Sequence, residues 1–121
     1  MVETALSLSL LVFTILGGAD MARAFAAQLG VQNAARAGAE AAVTRVATTD
    51  PQIMTYVTDE LGRIAGVDAA AATVTVTHPT GAGGESLVSV RVQYTYRTLV
   101  PWPLVPNTLS LDRTATFRNY P

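Results

Sequence analysis

Thr4-Ala5-Leu6-Ser7-Leu8-Ser9-Leu10-Leu11-Val12-Phe13-Thr14-Ile15-Leu16-Gly17-Gly18-Ala19 runs for 16 residues without a charge. Glu3 stands before it, Asp20 and Arg23 follow, and an alanine-rich tract continues to Ala47 with no proline before Pro51. Nothing in that span forbids one helix of about 45 residues, roughly 65–70 Å long. Helices of globular domains average about three or four turns. The sequence therefore predicts a stem helix over residues 1–49 that the head behind it, residues 50–121, is too small to cover. Such a rod has to be buried in something other than its own chain.

The stem divides in two. Residues 4–19 are apolar nearly all round, as expected for a segment surrounded by lipid or by other helices; Leu6, Leu10 and Phe13 are its packing positions. The adjacent glycines Gly17 and Gly18 cost roughly 2 kcal/mol against alanine in a helix interior. They mark a kink, a melted turn or a point of close contact. Residues 20–49 are amphipathic, with Val31, Ala34, Ala35, Gly38, Ala41, Ala42 and Val46 on a buried stripe and Gln32, Arg36, Glu40 and Thr44 opposite. Small residues on a stripe let helices approach closely. Arg36 and Glu40 have the i,i+4 spacing of a surface ion pair.

As a membrane span the apolar half is short: its 16 residues cover about 24 Å of a hydrocarbon core about 30 Å thick. It is an anchor that needs help at both ends. Its start, Met1-Val2-Glu3, is acidic, so a conventional cleaved secretory signal with a basic n-region is not expected. Without Lys or Arg before Arg23, charge bias gives little guidance on orientation.

The stem is expected to end at Thr48-Thr49, with Asp50 as N-cap and Pro51 as first residue of a second helix. That helix carries Ile53, Met54, Val57, Leu61 and Ile64 on one face and closes on Gly66 at the C′ position, with Val67 in the closing contact. From Thr73 the period changes to two. Thr73–Thr77 is a short strand, and Val88, Val90, Val92, Tyr94 and Tyr96 alternate with polar residues in a second. Residues 99–107 hold Pro101, Pro103 and Pro106 around Trp102 and read as an extended loop. A third strand, about 108–117, would bury Leu109, Leu111, Ala115 and Phe117, with Arg113 marking a bulge or an edge. The fold class is α+β: a long N-terminal helix, a short second helix and a three-stranded antiparallel sheet, the head packed on the C-terminal half of the stem.

Composition narrows the function. Half of the 121 residues are hydrophobic and the net charge is −1, so bulk charge suggests no nucleic-acid partner. There is no cysteine, which removes disulfides and thiolate metal sites. His78, the one histidine, precedes a proline in a turn and has no second ligand candidate, so no metal site is expected. Asp59 and Glu60 are adjacent and point about 100° apart on a helix, so they form no catalytic pair. No nucleophile motif, phosphate loop or dinucleotide fingerprint occurs. Catalytic, cofactor and metal residues are all expected to be absent, and the chain is not expected to be an enzyme. Asp20 and Arg23, at i,i+3, suit either a pair within or between subunits or a pair at a headgroup boundary. Tyr94 and Tyr96 are expected to pack the sheet on the helix. Trp102 and Tyr120 are aromatics whose role the pattern leaves open.

An apolar stem with an early Glu3, the Gly17-Gly18-Ala19-Asp20-Met21-Ala22-Arg23 junction, the segment Gln32-Asn33-Ala34-Ala35-Arg36-Ala37-Gly38-Ala39 and the closing Thr114-Ala115-Thr116-Phe117-Arg118 together resemble one family. They are similar to the TadE-like pilin-type proteins of tight-adherence (Flp-type) systems, a branch of the type IV pilin superfamily. The resemblance implies an inner-membrane precursor, processed by a prepilin peptidase, handled by the pilus assembly machinery and built into an extracellular filament of the same subunit used for adhesion. It also implies that Glu3 matters for assembly. The superfamily glutamate is the fifth residue of the mature chain, and here it is the third. Independently, a carboxylate beside an apolar helix costs several kcal/mol to bury unpaired, yet favours a helix N-terminus. A neighbour's α-amino group or helix-start N–H groups would satisfy it and fix axial register; the alternative is solvation at the membrane face. The functional expectation is a structural subunit polymerising through its stem. The alternatives are a membrane-anchored minor pilin or assembly accessory, and a tethered binding module. Gly17, Gly18, Asp20 and Arg23 join Glu3 as assembly positions, and Ala34, Ala35, Gly38, Ala41 and Ala42 complete the packing set.

Overall fold

A run of good helix formers with no proline gives α1, Val2–Val43, a 42-residue helix about 63 Å long. The computed structural model describes residues 1–120. After α1 come α2 (Asp50–Gly62), a 3₁₀ turn (Ala69–Ala71), β1 (Thr73–Thr77), β2 (Leu87–Arg97) and β3 (Thr108–Arg118). The strands form an antiparallel sheet in the order β1-β2-β3. The α+β class, the two helices and the three strands are those read from the sequence.

The core lies where one face of α1 meets α2 and the inner face of the sheet. Ala27, Val31, Ala34, Ala35, Ala39 and Ala41 of α1 are buried against Ile53, Val57 and Leu61 of α2 and against Val88, Val90, Val92, Tyr94 and Tyr96 of β2. Each fully buried Val or Leu contributes roughly 1.5–3 kcal/mol. Two glycines let the layers close. A Cβ at Gly30 would strike Ile64, and one at Gly38 would strike Val57. The outer sheet face is polar: Arg91 Nε donates to Asp112 Oδ1 at 2.9 Å, and the Ser89 and Thr116 hydroxyls meet at 3.0 Å.

Several boundaries differ from expectation. The stem helix ends at Val43, not at residue 49, because Arg45 turns left-handed at φ 61°. Its amide donates to Ala42 O and the Ala47 amide reaches back to Ala41 O at 3.0 Å. That turn swings Val46 outward to 60% exposure and puts Ala47 in the core instead. Arg36 and Glu40 form no ion pair; the Glu40 carbonyl accepts from the Thr44 hydroxyl at 2.8 Å. The N-cap of α2 is Thr49, one residue before Asp50, and Gln52 Oε1 accepts from the Thr48 and Thr49 amides at 2.9 and 3.3 Å. Asp50 is thereby free to meet His78 Nε2 at 2.8 Å. Gly66 is left-handed at φ 80° as expected, but one turn beyond the end of α2 at Gly62. Met54 stands at the edge of its helix face and is exposed. On the edge strand β3, Leu109 and Phe117, toward the two ends of the strand, are exposed too, while Leu111 and Ala115 nearer its middle are buried. The β2–β3 register runs unbroken from Leu87↔Arg118 to Arg97↔Thr108, so Arg113 sits at an edge without a bulge.

Candidate functional site: the bare stem and its junction with the head

The first four turns of α1 touch almost nothing of their own chain. Leu6 and Leu10 are 73% and 70% exposed, and Val2, Leu8, Leu11, Val12, Ile15 and Leu16 are exposed with them. α1 is long and apolar enough to cross a membrane. Two of its polar side chains fit a dry setting: Ser9 Oγ donates to Ala5 O at 2.9 Å and Thr14 Oγ1 to Leu10 O at 2.8 Å, within the helix. Hydroxyls satisfied in this way carry no open donor into an apolar environment. Glu3 lies in the first turn of the helix. It is exposed and makes no ion pair among the described residues. Of the packing positions, Ala34, Ala35, Gly38 and Ala41 are buried by the chain's own head and Ala42 is half-buried, whereas Leu6, Leu10 and Phe13 stay exposed.

The stem meets the head at Asp20. Its carboxylate is 5% exposed and accepts three N–H groups from the loop between β2 and β3. The donors are Trp102 Nε1 at 2.8 Å, the Leu99 amide at 3.1 Å and the Val100 amide at 3.3 Å. Pro101 and Pro103 stiffen the chain on both sides of Trp102, and Asn107 closes the loop by accepting the Trp102 amide on Oδ1 at 2.9 Å. The indole packs edge-on against Phe13, with centroids 6.3 Å apart, and over Gly17, where an added Cβ would lie 3.6 Å from the ring, in ordinary van der Waals contact. Gly18 faces open space. The helix runs unbroken through both glycines, so neither is a melted turn.

Within the chain Arg23 forms no ion pair with Asp20. Three donors already occupy the carboxylate, and the guanidinium lies over Gly66. The sequence pattern singled out Asp20 and Trp102 without joining them, and did not name Leu99 or Val100; all three partners lie about 80 residues away in the chain. A tryptophan fixed between prolines, with an indole N–H that needs an acceptor when covered, was the available signal. Between loop and stem lies a mainly apolar cleft of about 400 Å³, lined by Met21, Tyr96, Trp102 and Leu109 among others. The Tyr96 hydroxyl is buried without a partner. No group of three or more His, Asp or Glu suited to a metal occurs among the described residues.

The indole N–H first, then the Leu99 amide, hold the Asp20 carboxyl below the ordinary carboxylate range, with the Val100 amide and the Arg23 charge adding to them against the effect of burial. A depressed folded-state pKa means that the clasp stabilises the fold above the unfolded value of about 4, and that this stability is lost as pH falls through the lower folded value. Emission from Trp102, the one tryptophan, is expected to stay constant from about pH 7 to pH 5 and to shift red under stronger acid. In Asp20→Ala the red-shifted emission should appear at neutral pH, with several-fold faster exchange of the Leu99 and Val100 amides. Unchanged emission and protection in that variant would remove the clasp.

A family model described as TadE-like protein matches residues 1–40. The match is consistent with a TadE-like pilin-type protein and points to a part in Tad pilus assembly. It falls on the stem, taking in Glu3, the glycine pair, Asp20, Arg23 and the segment 32–39. No curated protein and no solved structure matches the chain.

Proposed function

We propose that this chain, whose stem is matched by the TadE-like family, is a structural, non-catalytic subunit that polymerises through α1 into an extracellular tad-like pilus used for adhesion. The observation that carries this reading is the uncovered apolar length of α1: large hydrophobic side chains stand exposed from Val2 to Leu16, far beyond an ordinary surface patch. Before assembly, lipid of the inner membrane covers them. After release, the stems of neighbouring copies do so, with the heads outward. Glu3, in the first turn and without an ion-pair partner among the described residues, meets a neighbouring α-amino group and sets the axial step. A prepilin peptidase and the pilus assembly machinery are the partners this life cycle requires.

A second reading, a membrane-anchored minor pilin or assembly accessory, draws on the same stem, since a bilayer alone covers its apolar length. Electron microscopy of filaments sheared from producing cells, with mass spectrometry of their subunit, separates the two. The expected result is this chain as dominant component. Filaments built of another protein, with this chain retained in the membrane fraction, would favour the accessory reading.

A further inference from the structure

We propose that the loop of residues 98–107 is a second membrane-contacting element, an interfacial foot that enters the bilayer beside the stem. The inference rests on the reading that residues 4–19 span the membrane before assembly. Asp20, at the end of that segment, is hydrogen-bonded to the loop, and the Trp102 ring lies beside Phe13 and over Gly17. Those residues form the last two turns of the apolar segment. Any bilayer that takes in residues 4–19 therefore meets Trp102 at its border, the depth that tryptophan favours.

The chemistry of the loop fits that depth. There is no charged residue between Arg97 and Asp112. Leu99, Val105 and above all the fully exposed Leu104 present apolar side chains to the outside. Leu104 is held at φ 72°, a conformation that leucine rarely adopts. The fold thus keeps a large apolar side chain outside in a disfavoured backbone shape. Non-helical backbone tolerates an apolar medium only where its N–H groups are satisfied. From Thr98 to Pro103 each one is: Thr98 donates to Asn107 O, Leu99 and Val100 to Asp20, Trp102 to Asn107 Oδ1, and Pro101 and Pro103 have none to satisfy. Arg23 and Arg97, both exposed, stand just past the apolar zone, where their charges suit phosphate headgroups. The foot also answers the shortness of the stem, because it extends the apolar profile at the head-side end of a span about 6 Å shorter than the hydrocarbon core.

The chain has no cysteine, so single-cysteine variants of the full chain carry one nitroxide each. In phosphatidylcholine–phosphatidylglycerol vesicles, labels at Leu104→Cys and Leu99→Cys are compared with Leu10→Cys on the stem and Asp59→Cys on the head. Collision with oxygen, which concentrates in lipid, is set against collision with a water-soluble nickel chelate. The foot requires labels 104 and 99 to be several-fold less nickel-accessible than label 59 and more oxygen-accessible, approaching label 10. Labels 104 and 99 as wet as label 59, with label 10 in lipid, overturn the foot and leave the spanning stem intact. Label 10 in water overturns both. Nickel protection at 104 that appears only in assembled filaments overturns the lipid contact in favour of a second copy of this chain.

Discussion

Gly38→Leu is expected to destabilise the head by roughly 3 kcal/mol or more, a large part of the 5–15 kcal/mol that holds an ordinary domain together. Gly38 is buried where α1 crosses α2 and the sheet. A single Cβ there would strike Val57, with Val90 Cγ1 at 3.4 Å and Ile53 Cγ2 at 3.5 Å. All three neighbours belong to the core and have little room to withdraw. Leucine adds four carbons where one does not fit. Its better helix propensity returns about 1 kcal/mol, too little to offset the overpacking. Gly18→Ala provides the opposite case on the same helix. Nothing lies within 4 Å of its Cβ position, so the propensity gain of about 0.5–1 kcal/mol should appear as added stability. Denaturant unfolding in mild detergent, followed by circular dichroism, reads both. A Gly38→Leu chain as stable as the parent would mean that α1 and α2 do not approach as closely as the fold requires.

The contrast between those two glycines marks what periodicity conveys and what it does not. The long helix follows from a run without proline. The second helix and the alternation in β2 follow from spacing alone, because a buried stripe of period 3.6 or 2 has few other ways to be buried. The stripe of small residues, Ala34 to Ala41, was legible for the same reason. Ends were harder. Helix closure is ordinarily announced by glycine, and here Arg45 takes the left-handed position, so the helix stopped six residues early and exchanged Val46 for Ala47 in the core. The cap of α2 moved from Asp50 to Thr49 because Gln52 supplies an acceptor that two threonine amides share. At the junction, local spacing offered Arg23 as partner for Asp20, whereas tertiary folding brought three donors from the other end of the chain. Only the exposed half of the stem was legible almost entirely, since its meaning lies in what its own chain does not cover.

Leu10→Asp should therefore do the reverse of Gly38→Leu, leaving the head intact and removing the stem's function. Leu10 is 70% exposed and belongs to no part of the core, so unfolding of the head should be unchanged within about 0.5 kcal/mol, the range of surface substitutions. An aspartate near the middle of a membrane span costs about 2.5–3.5 kcal/mol, roughly 60- to 300-fold in partition between membrane and water at about 1.4 kcal/mol per decade. A filament core is no kinder, because a carboxylate repeated in every subunit would be buried without a countercharge. Ser9 and Thr14 escape this cost only because their hydroxyls return to backbone carbonyls one turn back, and a carboxylate at position 10 has no proton to return. The measurement pairs head unfolding with the yield of membrane-bound chain and of sheared filament. Loss of both yields at unchanged head stability is the expected result. Normal filaments from Leu10→Asp would mean that the stem is not the polymer core, and a head weakened as much as in Gly38→Leu would mean that stem and head do not fold independently.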